Sequence, residues 1–423
     1  MTEKLLQFIW QFQYFNKQSL CTVAGETLQV LQAGYLNKNQ GPDFEQARIT
    51  VNQTSWAGKV ELHIYASDWL KHGHQEDERY NKVILHVVWH NDVAISDNNG
   101  NVFPTLELQT RVSNILLSHY DSWMQADQQI PCGKNITTVP ALTWQTWKNR
   151  LLIERLQAKN SVIQHHLEQT NYHWEEVFWR MLCRYFGGSI NGVSFEQVAV
   201  SLPIQIVSKH KNQIHQLEAL LLGQAGLLHK NLKETYPKLL YREYQFFQKK
   251  YLLRVINLPP SFLRMRPVNF PTVRLAQLAM LIQKSQYLFS KIRDAENTKD
   301  IKHLFDVTAN DYWNYHYRFD EEAEMIPKRI GSQMFDTLVI NAIVPVLFSY
   351  GIYSNSDAIK EKAISWLEQV KLEKNGLVAP FISLGVPNLT AFDSQALLQL
   401  KKEYCDAKRC LECAVGNAIL KRD

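Results

Sequence analysis

A change of hydrophobic period constrains this chain more than anything else in its sequence. Apolar residues in segments 27–31, 47–51, 59–65 and 83–89 come in short runs rich in β-branched and aromatic side chains, the pattern of strands. After Cys132 such runs disappear, and long stretches with helical spacing take over, including 144–168, 210–222 and 274–292. The early part is therefore expected to build a sheet, and the later part a helical body. Leu5, Phe8, Ile9, Phe12 and Phe15 recur at helical spacing before the first strand, so an amphipathic helix is expected to pack on the sheet. Segment 68–80 is polar and rich in His and Glu, and is long enough for a helix of about three turns. A polar turn, Ser96-Asp97-Asn98-Asn99-Gly100, separates Val93-Ala94-Ile95 from 102–108 and reads as a hairpin. The expected order is helix, three strands, helix, strand, and then helices. The division falls between an α/β domain, 1–130, and a helical region, 131–423.

With 423 residues, 45% of them hydrophobic, the chain can bury two or three cores, which excludes a disordered or fibrous protein. Lys4, Gln7, Gln11 and Gln13 interrupt the apolar residues of the amino terminus, so no secretion signal is expected. Segment 337–353 is broken by Asn341 and Pro345 and falls short of the roughly 20 residues that cross a bilayer; a buried helix and no membrane contact are expected. Six cysteines are too few for a secreted disulfide framework, and a reducing cytoplasm fits them. Gly223 and Gly226 mark a helix end or a close helix crossing.

The residues with most chemical content are Gly41-Pro42-Asp43-Phe44 and Gly58-Lys59-Val60-Glu61-Leu62-His63. Asp43 follows a Gly-Pro turn at the start of a β-like run, and Glu61 and His63, two apart on the next, point to one face. A magnesium or manganese ion takes oxygen ligands from separate segments, and hydrolysis needs a group that handles water. Asp43 and Glu61 are the candidate metal ligands and His63 the group for water. Five of the 14 histidines, His63, His72, His74, His86 and His90, fall in this short region. His74 and Asp77, three apart, would share a helix face, and no HExxH zinc motif is present. His86 and His90 alternate along one run and are read as structural.

Pro42-Asp43 followed by Glu61-Leu62-His63 resembles the PD-(D/E)xK nuclease superfamily, in which an Asp begins one strand and an acidic-x-Lys triplet occupies the next. The resemblance implies a restriction-endonuclease-like α/β fold for the amino-terminal domain and metal-dependent hydrolysis of phosphodiesters, with DNA the expected substrate. Lysine is usual where this chain has His63, so His63 serves in its place, or Lys59 reaches in from the same strand face, or the site is inactive. His72, His74 and Asp77 are similar to the His-rich helix that very-short-patch-repair-type members place beside their metal, and would form a supporting shell. Along nearly its whole length the chain also resembles an uncharacterised bacterial family known only as a domain of unknown function, through 41–44, 58–63, 83–88, 217–228 and 264–274.

Cys405, Cys410 and Cys413 lie within nine residues, and Cys132 is the best candidate for a fourth ligand; four thiolates suit zinc or an iron-sulfur cluster. The arrangement is similar to that of iron-sulfur members of the same nuclease superfamily. From Tyr244 to Arg293 there are nine Lys or Arg residues and no acid. Lys249, Lys250, Arg254, Arg264, Arg266 and Arg274 are the candidate nucleic-acid contacts, with Phe246, Phe247, Tyr251, Phe262 and Phe270 interleaved for base stacking. A non-catalytic nucleic-acid-binding protein, or a protein-interaction scaffold on a nuclease-like fold, is the alternative to a nuclease.

Overall fold

In the computed structural model, which describes residues 1–37, 39–96 and 102–421, the alternation of apolar residues does build a sheet. Strands β1 (Leu28–Gln32), β2 (Tyr35–Leu36), β3 (Phe44–Val51), β4 (Thr54–Tyr65), β5 (Val83–His90) and β6 (Thr105–Glu107) form one mixed sheet in the order β1-β3-β4-β5-β6, with β2 on β3. β1, β3 and β4 pair antiparallel, whereas β4–β5 and β5–β6 are parallel. Along β3, Phe44, Ala47, Ile49 and Val51 turn inward. The phase slips by one between Phe44 and Ala47, where Gln46 takes a positive φ of 58°: a bulge that lets both flanking apolar residues face the core. Central β4 is buried on both faces through Val60, Glu61, Leu62 and His63, which is how a strand covered on two sides reads.

Helix α1 (Glu3–Phe12) packs Leu5, Leu6, Phe8, Ile9 and Trp10 inward. Thr2 caps it by accepting the Leu5 N–H, and the Trp10 indole donates to the Ala33 carbonyl at 3.0 Å. The expected stripe was slightly too long: Phe12 is exposed, and Phe15, beyond the helix end, is buried against Trp10.

Two local expectations are corrected, and a third, the hairpin, lies partly outside the described residues. Segment 68–80 is not one helix but a single turn, α2 (Asp68–Lys71), and two 3-10 turns, His74–Glu76 and Glu78–Tyr80. Gly73 takes φ 70°, a conformation that ends a helix cheaply only at glycine, and Asp77 accepts the Arg79 N–H to start the last turn. The expected hairpin turn at 97–101 lies outside the described residues. Its flanks pair as expected, since Ser96 and Val102 bridge antiparallel and the Phe103 N–H donates to the Ile95 carbonyl at 2.8 Å, and the chain goes on to form β6 beside β5. Segment 274–292 is two helices, Pro271–Lys284 and Leu288–Asp294, separated where Tyr287 takes φ 50°.

An amino-terminal mixed sheet followed by a mainly helical region is the fold class, as the sequence implies. The sequence reading divides the chain once, at 130/131; packing divides it into one unit of Met1–Trp147, Pro380–Val386 and Leu400–Asp423, and another of Lys148–Ala379 and Pro387–Gln399. The second unit is held by a single large apolar core that includes Phe178, Phe195, Phe247, Trp313 and Trp366. Ser332–Tyr353 is long and apolar enough by composition to cross a membrane, and that core buries most of it. Pro345, which cannot donate a helix hydrogen bond, follows a π-helical turn at Val339–Ile343.

Candidate metal centre

The parallel register of β4 on β5 sets Glu61 beside His86 and His63 beside Val88. Glu61 and His63 share a face, as their spacing requires, and the turn after α2 folds His72 and His74 over them. Nitrogen atoms of His63, His72 and His74 all lie within 4.8 Å of one another, close enough to share one metal ion. His63 Nε2 is 3.2 Å from His72 Nδ1. Glu61 Oε1 is 3.7 Å from His63 Nε2 and 3.5 Å from His74 Nε2. Three imidazoles and a carboxylate oxygen therefore converge on one point. His74 Nε2 is buried without a hydrogen bond, and such an orphaned atom calls for a partner.

Burial and charge explain the protonation state. Burial, then Asp43 nearby, pushes the Glu61 carboxyl up to about 9. Burial, then the surrounding imidazoles, lowers His63 to about 2, and burial lowers His74 to about 4 and His86 to about 3. The rings are therefore neutral at physiological pH and keep lone pairs for a ligand, the form in which imidazole binds metals. His63 Nδ1 is 2.8 Å from His86 Nε2; if Nδ1 holds the proton, it donates to His86 and Nε2 is left free toward Glu61, as metal-binding histidines are commonly oriented.

Asp43 adjoins this group without joining it. Its Oδ1 accepts from Gln7 Nε2 at 2.8 Å and its Oδ2 from the Leu62 N–H at 3.1 Å, while its own N–H donates to Glu61 Oε2 at 2.9 Å. Asp77 turns away to Arg79, whose guanidinium holds it down at about 2, so it reaches His74 only through its charge. Lys59 pairs with Glu45 at 3.3 Å. The register slip between Lys59 and Val60 separates its pairing from that of Glu61, and it does not supply the missing lysine. His90 is exposed beside Glu107 and Gln109, as a structural histidine would be. His86, read as structural, instead touches His63. Tyr80, which closes the His-rich segment His72-x-His74-x-x-Asp77-x-x-Tyr80, stacks its ring on His74 with centroids 3.8 Å apart, whereas Gln7 carried no signal in the sequence.

The four cysteines all lie in the first unit, but among the described residues no three of their sulfurs come within 4.8 Å of one another, as the three histidine nitrogens do. Cys132 precedes the 3-10 turn Gly133–Thr138, Cys405 ends the π-helical turn Leu400–Cys405, Cys410 opens Cys410–Glu412, and Cys413 precedes the helix Ala414–Leu420. All four are free thiols. Burial raises each, and Cys132 and Cys405 are raised further by charge on the other cysteines, which requires close approach. The backbone N–H groups of Gly416 and Val415 face the Cys413 sulfur and oppose the rise, but burial outweighs them and holds the group as a thiol. Only glycine fits at 416, because a Cβ there would meet the Cys410 carbonyl oxygen at 2.4 Å.

The basic stretch does not form one face. Lys249, Lys250 and Arg254 are exposed near the end of helix Thr235–Tyr251, and Lys250 lies over the Phe246 and Tyr251 rings. Arg264, Arg266 and Arg274 line a separate cavity. Of the interleaved aromatics, Phe247 is core, Phe262 and Phe270 are half-buried with Arg318 at 4.9 Å over each, and Phe246 is exposed.

No curated protein and no solved structure matches the chain. A family model does match residues 3–376, and its description names no nuclease domain. The chain belongs to the family described as protein of unknown function, DUF2851.

Proposed function

We propose that this protein is a transition-metal-dependent hydrolase of phosphodiester bonds in nucleic acid, with its metal centre at Glu61, His63, His72 and His74. The observation that carries the reading is the convergence of three imidazoles on a buried carboxylate, with His74 Nε2 left without a partner. Hard magnesium prefers oxygen ligands, whereas this donor set suits manganese, zinc or iron(II), so the expected magnesium gives way to one of these. A bound ion would polarise a phosphoryl oxygen and lower the pKa of a water ligand. His63, His72 and His74 would hold the ion, and Glu61, protonated in the ion-free chain, would supply negative charge by giving up its proton to a bound cation. Asp43, fixed by Gln7 and the Leu62 N–H, positions Glu61 through its own N–H, and His86 fixes the His63 ring.

The phosphodiester substrate rests on the PD-(D/E)xK resemblance. Apart from the two-residue β2, the order α1, three antiparallel strands, α2 and a parallel β5 agrees with the order that resemblance implies, and Asp43 and Glu61 occupy its motif positions in the sequence. The cysteines Cys132, Cys405, Cys410 and Cys413 are suited to zinc or an iron-sulfur cluster that ties the chain end to the first unit. Cytoplasmic residence fits both these free thiols and nucleic-acid substrates.

One observation favours the alternative, a non-catalytic nucleic-acid-binding or scaffold protein: among the described residues, Lys59 pairs with Glu45 and no lysine bonds to Glu61, His63, His72 or His74. Cleavage of labelled single- and double-stranded DNA and RNA with manganese, zinc or magnesium distinguishes the two. Metal-dependent products from wild type, absent with Glu61→Gln and His72→Ala, are expected. Binding without turnover by folded, metal-loaded protein would support the alternative.

A further inference from the structure

The helical unit contains a cavity of about 620 Å³ whose walls include four arginines and no carboxylate. Arg264 and Arg266 come from one loop, Arg274 from the first turn of helix Pro271–Lys284, and Arg329 from a later segment. The loop is fixed by Asn191, itself only 2% exposed. Its Oδ1 accepts the Ser261 N–H at 2.8 Å, and its Nδ2 donates to the Ser261 carbonyl at 2.8 Å and toward Met265 Sδ at 3.3 Å. Arg264 holds a φ of 58°, a region that residues with side chains enter rarely, and often at functional positions.

The guanidinium of Arg274 is oriented by neutral groups alone, Asn269 Oδ1 at 2.5 Å and Gln277 Oε1 at 2.9 Å. Among the described residues, no carboxylate forms an ion pair with any of the four arginines. Burial alone lowers Arg274 to about 10, a sign that its charge lacks compensation. Gly187, Gly188 and Ser189, at the amino end of the 14-residue helix Gly188–Ser201, line the same cavity. The first N–H groups of such a helix have no intrahelical partner and favour an anion.

Arg264, Arg266 and Arg329 are exposed and Arg274 is half-buried, and all four border the same cavity. Guanidinium forks match phosphate oxygens in pairs, and the apolar side chains of Phe186, Ile190, Val268 and Met334 complete the lining. The volume is within the roughly 300–1,000 Å³ typical of small-ligand sites. We infer that this cavity binds the phosphate group of a phosphomonoester, presented by a free mononucleotide or by a terminal phosphate of a nucleic acid. The inference rests on the arginine cavity and not on the metal centre, and either can fail without the other.

The test is fluorescence anisotropy of the full-length chain in EDTA, which suppresses metal-dependent cleavage. The probes are short oligonucleotides of one sequence bearing a 5′-phosphate, a 3′-phosphate or neither, with adenosine monophosphate and adenosine as competitors. The phosphate-bearing form is expected to bind about tenfold or more tightly than the hydroxyl form, the gain from one charge-assisted contact. Arg274→Gln and Arg329→Gln, each checked for an unchanged melting profile, should remove that preference, whereas Lys249→Gln, outside the cavity, should keep it. Competition by adenosine monophosphate as effective as that by the phosphorylated oligonucleotide assigns the cavity to free nucleotides; much weaker competition assigns it to a chain end. Equal binding of phosphorylated and hydroxyl forms of both probes, or an intact preference in the folded Arg329→Gln protein, would overturn the inference.

Discussion

Two buried carboxyls, Glu61 in the sheet unit and Glu218 in the helical unit, show how a site differs from a structural polar contact. Both are almost inaccessible and both are raised chiefly by burial, to about 9 and about 7. Their neighbours differ in kind. Glu218 Oε2 accepts from Tyr236 Oη at 2.8 Å and from the Trp313 indole at 3.1 Å, while its Oε1 is buried without a hydrogen bond. Glu61 Oε1 instead faces His63 and His74 nitrogens at 3.7 and 3.5 Å, too far for strong hydrogen bonds. Each carboxyl has one oxygen held by donors, Glu218 by Tyr236 and Trp313 and Glu61 by the Asp43 N–H; the difference is that the other Glu61 oxygen faces imidazole nitrogens that a cation would join to it. Burial alone marks neither as functional; the chemistry of the neighbours does.

The sharpest separation is expected in catalysis. Glu61→Gln, His63→Ala and His72→Ala should each lower metal-dependent cleavage by about 100-fold or more, while Glu218→Gln changes it by less than about twofold in folded protein. His72 is exposed, so His72→Ala removes a ligand without leaving a cavity in the core, and its circular-dichroism spectrum should match wild type.

Manganese should next separate the two carboxyls by stability. It binds thiolates poorly, so its effect reports the imidazole site and not the cysteines. At about 100 times its dissociation constant it should add about 2.7 kcal/mol to the folded state, read as a rise of several degrees in the melting of the sheet unit. EDTA should reverse the rise, and His72→Ala should abolish it. Glu218→Gln should preserve it.

A smaller effect is expected from pH. Glu218 keeps its proton in the folded chain up to about 7, whereas an ordinary glutamic acid loses it near 4.5. Between those values the folded chain binds more protons than the unfolded one, so this group lowers stability as pH rises through that window. Denaturant titrations of Glu218→Gln should show a flatter pH profile there than wild type. The smallest effect belongs to His90→Ala, which removes only an exposed pair with Glu107 and should cost less than about 0.5 kcal/mol by the same titration.

The sheet was legible because apolar residues with period two leave no other way to bury one face, and the two-residue spacing of Glu61 and His63 fixed their common face in advance. His72 and His74 were legible as residues but not in place: a helix through 68–80 would have separated them, and Gly73 bends the chain to bring both over His63. Gln7 gave no signal, because its contact with Asp43 joins a helix to a turn 36 residues away. The β5–β6 pairing was hidden for a similar reason, since parallel register depends on where a crossover lands and not on a local turn. Cys132 was paired with the distant trio by ligand number, which no period or propensity supplies. Arg329 was missed because it lies outside the acid-free stretch, and only folding sets it beside Arg264, Arg266 and Arg274.

The most direct test of the metal centre is anomalous diffraction from crystals of the full-length protein soaked in manganese, collected above and below the manganese absorption edge. A manganese peak bounded by His63 Nε2, His72 Nδ1, His74 Nε2 and Glu61 Oε1, and absent from His72→Ala crystals, is the expected result. No peak there at saturating manganese, with the four side chains ordered as described, would contradict it.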